Sequence, residues 1–376
     1  LGGYIDNISI NQALIVDETD LNVDDTLDFS GRFTADFGSD GQGAPTTYVT
    51  STVDGTDSGL VDTASGQAIL LYNDGAGGVV GRVGGIGGDD AFTVTVDAGG
   101  VVKLDQILAV RHPDPDNHDD VVGIPAGKID LTATVTDGDG DTADSTIDLG
   151  TSLYFKDDGP TNNAAAVSDT VEEDNLADGN DEDASGDTVA TGSVAGLVDF
   201  GSDGAATGGG FSLASNLSNL PTLTSNGLPV SYAVSGDTLT ASTTAGTVFT
   251  LKVEADGDYT FTLVDQIDHH PVNAADDIED FLDLDLSSAI VATDGDGDSV
   301  TVDSGFTIRV QDDVPVALDD ALNVTDESAG NVVTGNLLQA GESAGADQPG
   351  TIREITHDGV TYELAADGQS VSGGGS

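Results

Sequence analysis

Six segments of this chain occur twice, in the same order and at nearly constant spacing, so the fold adopted by the first copy is the fold expected of the second. Phe37-Gly38-Ser39-Asp40-Gly41 returns as Phe200-Gly201-Ser202-Asp203-Gly204, and Ala91–Asp97 returns as Val248–Glu254. Asp105-Gln106-Ile107 returns as Asp265-Gln266-Ile267, His112-Pro113 as His270-Pro271, and Thr136–Asp141 as Thr293–Asp298. Asp157-Asp158, ahead of Pro160, returns as Asp312-Asp313 ahead of Pro315. The spacing stays near 157 residues, as between Thr136 and Thr293. Ordered recurrence of this kind signals tandem copies of one folding unit. It sets the expected organisation as repeat 1 over 1–159, repeat 2 over 160–314, and the start of a truncated third repeat over 315–376.

Within each copy the apolar residues alternate with polar ones. Phe92–Val96, Ile129–Val135 and Phe306–Val310 have the period-two pattern of half-buried strands. Val248–Val253 and Tyr259–Val264, joined by Glu254–Asp258, read as a hairpin. Thr351–Glu363 reads as another, turning at His357-Asp358-Gly359. The 51 glycines, often beside Asp or Asn, punctuate the chain with turns. One short helix is expected, at Asp276–Leu282. Regularly spaced short strands between turns predict an all-β chain of tandem Ig-like, Greek-key β-sandwich repeats.

Charge limits the possible partners. With 68 Asp and Glu against 9 Lys and Arg, the formal net charge is -59. Phosphate binding needs clustered cationic side chains, so nucleic acid and anionic membrane surfaces are not expected partners. Such a charge also opposes compaction through self-repulsion. A folded state then needs built-in counterions, and the alternating apolar runs argue for folding rather than disorder. There is no Cys, which removes disulfides and thiolate metal sites. No run approaches the apolar length of a membrane span. A start at Leu1, with no Met anywhere, leads us to expect a fragment or processed product whose export signal lies outside it.

The chemistry concentrates in repeated acidic loops. Asp137, Asp139 and Asp141 alternate with glycine, as do Asp294, Asp296 and Asp298. Such spacing lets three carboxylates converge on one cation, and calcium accepts six to eight oxygen ligands in flexible geometry. The start resembles an EF-hand loop, but the later positions do not fit one. A polar turn with solvated Asp is the plain alternative. Asp157 and Asp158 close repeat 1 and Asp312 and Asp313 close repeat 2, while Glu172 and Glu173, then Asp326 and Glu327, open the repeats that follow. Carboxylates on both sides of a boundary are positioned to share ions, the alternative being a charged linker. Asp36, Asp40, Asp199 and Asp203, around Phe-Gly-Ser-Asp-Gly, are weaker candidates that a glycine turn explains almost as well. His112 and His270, each before Pro, suggest a structural turn, and no paired-His spacing for zinc is present. Gly341-Glu342-Ser343-Ala344-Gly345 matches a nucleophile elbow only by chance, because its strand–turn–helix context is missing.

The duplicated Ala91–Asp97 strand, the Asp-Gln-Ile segment, the Thr-Asp-Gly-Asp-Gly-Asp loop and the closing Asp-Asp pairs together resemble the long repeats of RTX-type giant bacterial adhesins exported by type I secretion. The resemblance covers about residues 1–315. It implies calcium-stabilised extracellular domains at a bacterial cell surface, serving attachment and biofilm formation, with a cell-surface or matrix ligand engaged through other domains. It also implies export unfolded and folding outside, where calcium is plentiful. The expected role is a calcium-rigidified spacer, not an enzyme, whose partners are calcium ions and neighbouring repeats. Two other readings stay open: a glycan- or protein-binding module, which the absence of Trp disfavours, and a domain of a secreted hydrolase.

Overall fold

The computed structural model describes residues 13–177, 179–180, 186–269, 280–314, 346, 354–357 and 360–363. Among these the chain is all-β, with no α-helix and five single-turn 3-10 segments. No helix among them is long and apolar enough to cross a membrane. The chain divides into two compact units. The first comprises Leu1–Asn163 with Val198–Gly210 and Ala292–Val300, and the second comprises Ala164–Leu197, Phe211–Val291 and Thr301–Ser376. The first unit thus includes two segments that the sequence boundaries assign to repeat 2.

The first unit is a β-sandwich. Its large sheet is antiparallel and six-stranded, in the order Asp25–Asp28, Val101–Gln106, Asp90–Val96, Val79–Val83, Ala68–Asn73, Thr56–Val61. Alternation decides which faces are buried. Phe92 and Val94, Val102 and Leu104, and Ile69 and Leu71 are all fully buried. They share one core with Leu14, Val16, Leu131, Leu153 and Phe155, which come from two three-stranded sheets. The Phe92 and Phe155 rings meet with centroids 5.1 Å apart.

The feature that positions the site is the pairing of first and last strands. Leu14–Asp17 runs parallel to Leu153–Lys156, with Asp17 opposite Lys156. The residues that follow, Glu18 and Asp157, therefore emerge side by side. The second unit repeats the arrangement. Val167–Glu172 runs parallel to Phe306–Gln311, with Glu172 opposite Gln311, so Glu173 emerges beside Asp312. Its larger sheet is five-stranded, in the order Val189–Ser193, Asp258–Leu263, Thr247–Val253, Thr238–Ser242, Ser231–Ser235. The Tyr259 and Phe306 rings, 4.7 Å apart, join this sheet to the three-stranded sheet that contains Phe306–Gln311.

The expected strands are present. Asp90–Val96 and Phe306–Gln311 contain two of the alternating runs, Asp130–Asp137 takes up the third from Asp130 onward, and Thr247–Val253 pairs with Asp258–Leu263 as a hairpin. Glu354–His357 pairs with Val360–Glu363, as the alternation there predicts. The helix expected at Asp276–Leu282 is not formed at its end. Phe281 and Leu282 open a strand, Phe281–Asp285, while the rest of the segment lies outside the described residues. The Phe-Leu-Asp-Leu-Asp alternation sets Leu284 opposite Ile308, and burying that face in the sheet outweighs local helix propensity.

Replacing Phe155 by Ala leaves a cavity under the six-stranded sheet. It is expected to destabilise the first unit by about 3–5 kcal/mol, measured as a fall in urea midpoint at unchanged slope in calcium-containing buffer.

Candidate metal centre

The site is built from three pieces of the first unit: the ends of the paired parallel strands, the loop 198–210, and the hairpin turn 294–298. Glu18 is fully buried. Its Oε1 accepts hydrogen bonds from Gln106 Nε2 at 2.6 Å and from the Val110 backbone N–H at 2.9 Å. Asp157 is 1% exposed and Asp158 9%.

The Phe-Gly-Ser-Asp-Gly turn brings in Asp203. Ser202 donates its backbone N–H to Asp158 Oδ2 at 3.0 Å and its hydroxyl to the Glu18 carbonyl at 2.6 Å. Gly201 has φ 67° and lies against Asp158, so a Cβ there would stand 2.1 Å from Asp158 Oδ2. The turn 294–298 arrives over the Asp203 backbone. A Cβ at Gly295 would lie 2.5 Å from the Asp203 carbonyl oxygen, so only glycine allows this approach. Within the turn, Asp294 Oδ1 accepts from the Gly297 and Asp298 N–H groups, at 3.0 and 2.8 Å. Asp294 therefore shapes its own loop, and Asp296 and Asp298 reach Asp157.

Two groups of carboxylates result. Glu18, Asp157, Asp158 and Asp203 each bring one oxygen to a common place, these atoms all lying within 4.8 Å of one another, and Asp157, Asp296 and Asp298 do the same. Buried oxygens without a hydrogen bond are Glu18 Oε2, both of Asp157, Asp158 Oδ1, both of Asp203, Asp294 Oδ2, Asp296 Oδ1 and Asp298 Oδ2. Bare carboxylate oxygens out of water are costly, since native proteins hydrogen-bond nearly all such atoms. Four unit negative charges within 4.8 Å of one another repel by roughly 3.5 kcal/mol per pair at an effective dielectric near 20, or roughly 20 kcal/mol over the six pairs. That exceeds the total stability of a typical domain, about 5–15 kcal/mol. The cluster must therefore take up protons or cations.

The proton affinities move accordingly. Burial pushes Glu18 up to about 9, with the charge of Asp203 adding to it. Burial likewise lifts Asp203 to about 7, Asp294 to about 8 and Asp298 to about 6, and raises Asp158. Two imidazoles face them: His118 Nε2 lies 3.8 Å from Asp298 Oδ2, and His112 sits against Asp157. Burial pulls the His112 imidazole pKa down, but Asp157 and the Phe155 carbonyl outweigh it and raise it to about 9. Its Nδ1 stands 3.2 Å from Asp157 Oδ1, close enough for an ion pair but off hydrogen-bond geometry, and its Nε2 lies 3.2 Å from the Phe155 carbonyl.

The second unit carries a matching set. Glu173, His269 and Asp312 come together. Glu173 Oε1 accepts from the Ile267 N–H at 2.8 Å, as Glu18 does from Val110. His269 Nδ1 lies 3.4 Å from Asp312 Oδ1, and its Nε2 lies 3.2 Å from the Val310 carbonyl. Asp313 Oδ2 accepts from the Ala346 N–H at 2.6 Å, in the manner of Asp158 and Ser202.

The sequence-predicted residues divide as follows. Asp157, Asp158, Asp296 and Asp298 lie in the buried cluster, with Asp294 shaping the loop. Glu173, Asp312 and Asp313 lie in the matching set, whereas Glu172 is the last residue of its strand and outside that group. Each closing Asp is thus met by the Glu that opens its own repeat. Asp137, Asp139 and Asp141 form the same turn as 294–298, with Asp137 Oδ1 accepting from the Gly140 and Asp141 N–H groups. There Asp137, Asp139 and Asp40 make an exposed group. Asp326 and Glu327 lie outside the described residues, as do Gly341–Gly345 and His270.

Three things were misjudged from sequence. Glu18 is not among the expected ligands, yet it lies in the buried cluster. Asp40 and Asp203 join carboxylate groups, whereas Asp36 and Asp199 cap their own turns by accepting from Gly38 and Gly201. The structural equivalent of His112 is His269, although the His-Pro dipeptide suggests His270. The 157-residue spacing, applied to His112, leads to His269.

Residues 13–150 match a family model described as a domain of unknown function (DUF5801). No curated protein matches the chain. Among solved structures, one described as "Protocadherin Gamma B2 extracellular cadherin domains 3-6" is similar over 73% of this chain, at 12% identity and a TM-score of 0.23. The chain spans 55% of that structure's chain.

The raised groups set a pH dependence for the metal-free protein. Glu18, Asp203, Asp294, Asp298 and His112 all bind protons more tightly folded than unfolded. The stability they contribute is complete below their unfolded pKa values and is lost as pH rises through the folded ones. Without divalent cations the melting temperature is expected to fall steadily from about pH 4 to about pH 9. A profile that is flat, or that rises, across that window would contradict the assignment.

Proposed function

We propose that this chain is a calcium-dependent structural repeat region of a secreted bacterial surface adhesin, holding other parts of that protein away from the cell. The observation that carries the calcium part is the buried cluster centred on Asp157, whose oxygens have no donors. The cluster's chemistry suits a hard cation. Its potential donors are overwhelmingly carboxylate oxygens, four in one group and three in the other, with two imidazoles nearby and no thiolate. Magnesium fits less well, because it holds near-ideal octahedral geometry and keeps several waters. The spacer role and the surface location rest on the resemblance to RTX-type adhesin repeats and on a non-catalytic reading of the duplicated acidic loops.

Calcium bound only by the folded state makes the ion part of the folding equilibrium. In a cytoplasm poor in calcium the buried carboxylates oppose folding, which suits export in an unfolded form. Outside the cell, calcium displaces the protons and folding becomes favourable. The exposed Asp40–Asp137–Asp139 group lacks this leverage, because its carboxylates are solvated.

Calcium at a hundredfold excess over Kd adds about 2.7 kcal/mol, an expected rise in melting temperature of about 5–11 °C for a domain of this size. Calorimetry in calcium and in EGTA at pH 8 measures it. Equal melting temperatures in the two buffers would remove the calcium reading. In the same assay Asp296→Asn is expected to reduce the calcium-dependent increment, and Asp139→Asn to leave it nearly unchanged.

A further inference from the structure

We infer that the first unit's cluster is a dinuclear centre, holding two calcium ions bridged by the Asp157 carboxylate; this rests on the calcium reading above. Asp157 is the one residue common to the two carboxylate groups, the first with Glu18, Asp158 and Asp203, the second with Asp296 and Asp298. The groups are built by different parts of the chain. Strand ends and the Phe-Gly-Ser-Asp-Gly turn make the first, and the 294–298 turn makes the second.

Asp157 has the properties of a bridge. It is 1% exposed, and both of its carboxylate oxygens are buried and accept no hydrogen bond. A monodentate ligand to one ion would leave its second oxygen buried and bare, and a bidentate one would use both oxygens in one group and leave the other group without a cation. A bridging carboxylate spends one oxygen on each ion. Each group also has buried oxygens of its own without a hydrogen bond: Glu18 Oε2, Asp158 Oδ1 and both of Asp203 on one side, and Asp296 Oδ1 and Asp298 Oδ2 on the other. Charge favours the same count. Seven carboxylates with buried side chains face two imidazoles, His112 and His118, and one dication offsets only two of those charges, leaving strong repulsion in a low-dielectric site. Two ions held on one bridge bind with positive cooperativity, because the first pays for ordering the shared ligand.

The test counts calcium retained by the 376-residue chain, by native mass spectrometry together with elemental analysis after gel filtration at fixed free calcium. Asp203→Asn and Asp296→Asn are each expected to lose one ion relative to the unsubstituted chain. Asp157→Asn and the double variant Asp203→Asn/Asp296→Asn are each expected to lose two. A double variant that loses only one ion would overturn the dinuclear assignment and leave one mononuclear site. An unsubstituted chain that retains no calcium would instead remove the functional reading itself. In case Asp157→Asn fails to fold, a second measurement needs no substitution. Terbium and europium loaded together should show terbium-sensitised europium emission that is lost in Asp203→Asn. Absence of that emission, with both lanthanides bound, overturns the bridge.

Discussion

Carboxylates gathered away from water repel one another more strongly than a small domain can tolerate, and the rest of this structure is arranged around that fact. The sandwich cores are ordinary, with alternating Val, Leu, Ile and Phe packed between sheets. The acidic centre of the first unit is different. Its members are brought together by backbone geometry rather than by attraction between them. Parallel pairing of the first and last strands delivers Glu18 beside Asp157, and a glycine turn lays Asp203 against Asp158. A second glycine then admits the 294–298 turn. The fold supplies the proximity, and on the reading proposed above a cation supplies the charge that makes it stable.

His112 fits this scheme as a partner of Asp157. Its imidazole is held between the Phe155 carbonyl and Asp157, and its backbone N–H donates to Asp296 Oδ2 at 3.0 Å. It thus orients carboxylates from two directions. His269 sits in the same relation to Val310 and Asp312 in the second unit. Recurrence of the arrangement in both units argues that it belongs to the fold and did not arise from one local accident of packing.

Much of this was legible in the residues. Period-two alternation located the central strands, because a strand with one buried face leaves that trace in sequence. The ordered recurrences located the acidic loops and the closing Asp pairs. What stayed hidden was long-range. Nothing local to Val16-Asp17-Glu18 shows that this strand runs parallel to one about 140 residues later, with Asp17 opposite Lys156. The two Asp-Gly-Asp-Gly-Asp loops have the same sequence and the same internal hydrogen bonds, yet one is exposed and the other largely buried. Burial there is set by what packs against the loop, which no window of residues reports. The misplaced histidine has a simpler origin, a dipeptide match preferred over a constant spacing.

Every component of the buried centre belongs to a segment that the chain carries in duplicate. One half consists of an opening Glu, a closing Asp pair and a histidine, and the other of two glycine-bearing turns. The first half comes from one sequence copy and the second half from the next. Recombination that inserts or deletes a whole copy would therefore preserve the register between the halves, and the number of complete centres would track copy number. Such a chain can change length in evolution without any new acidic centre having to be invented.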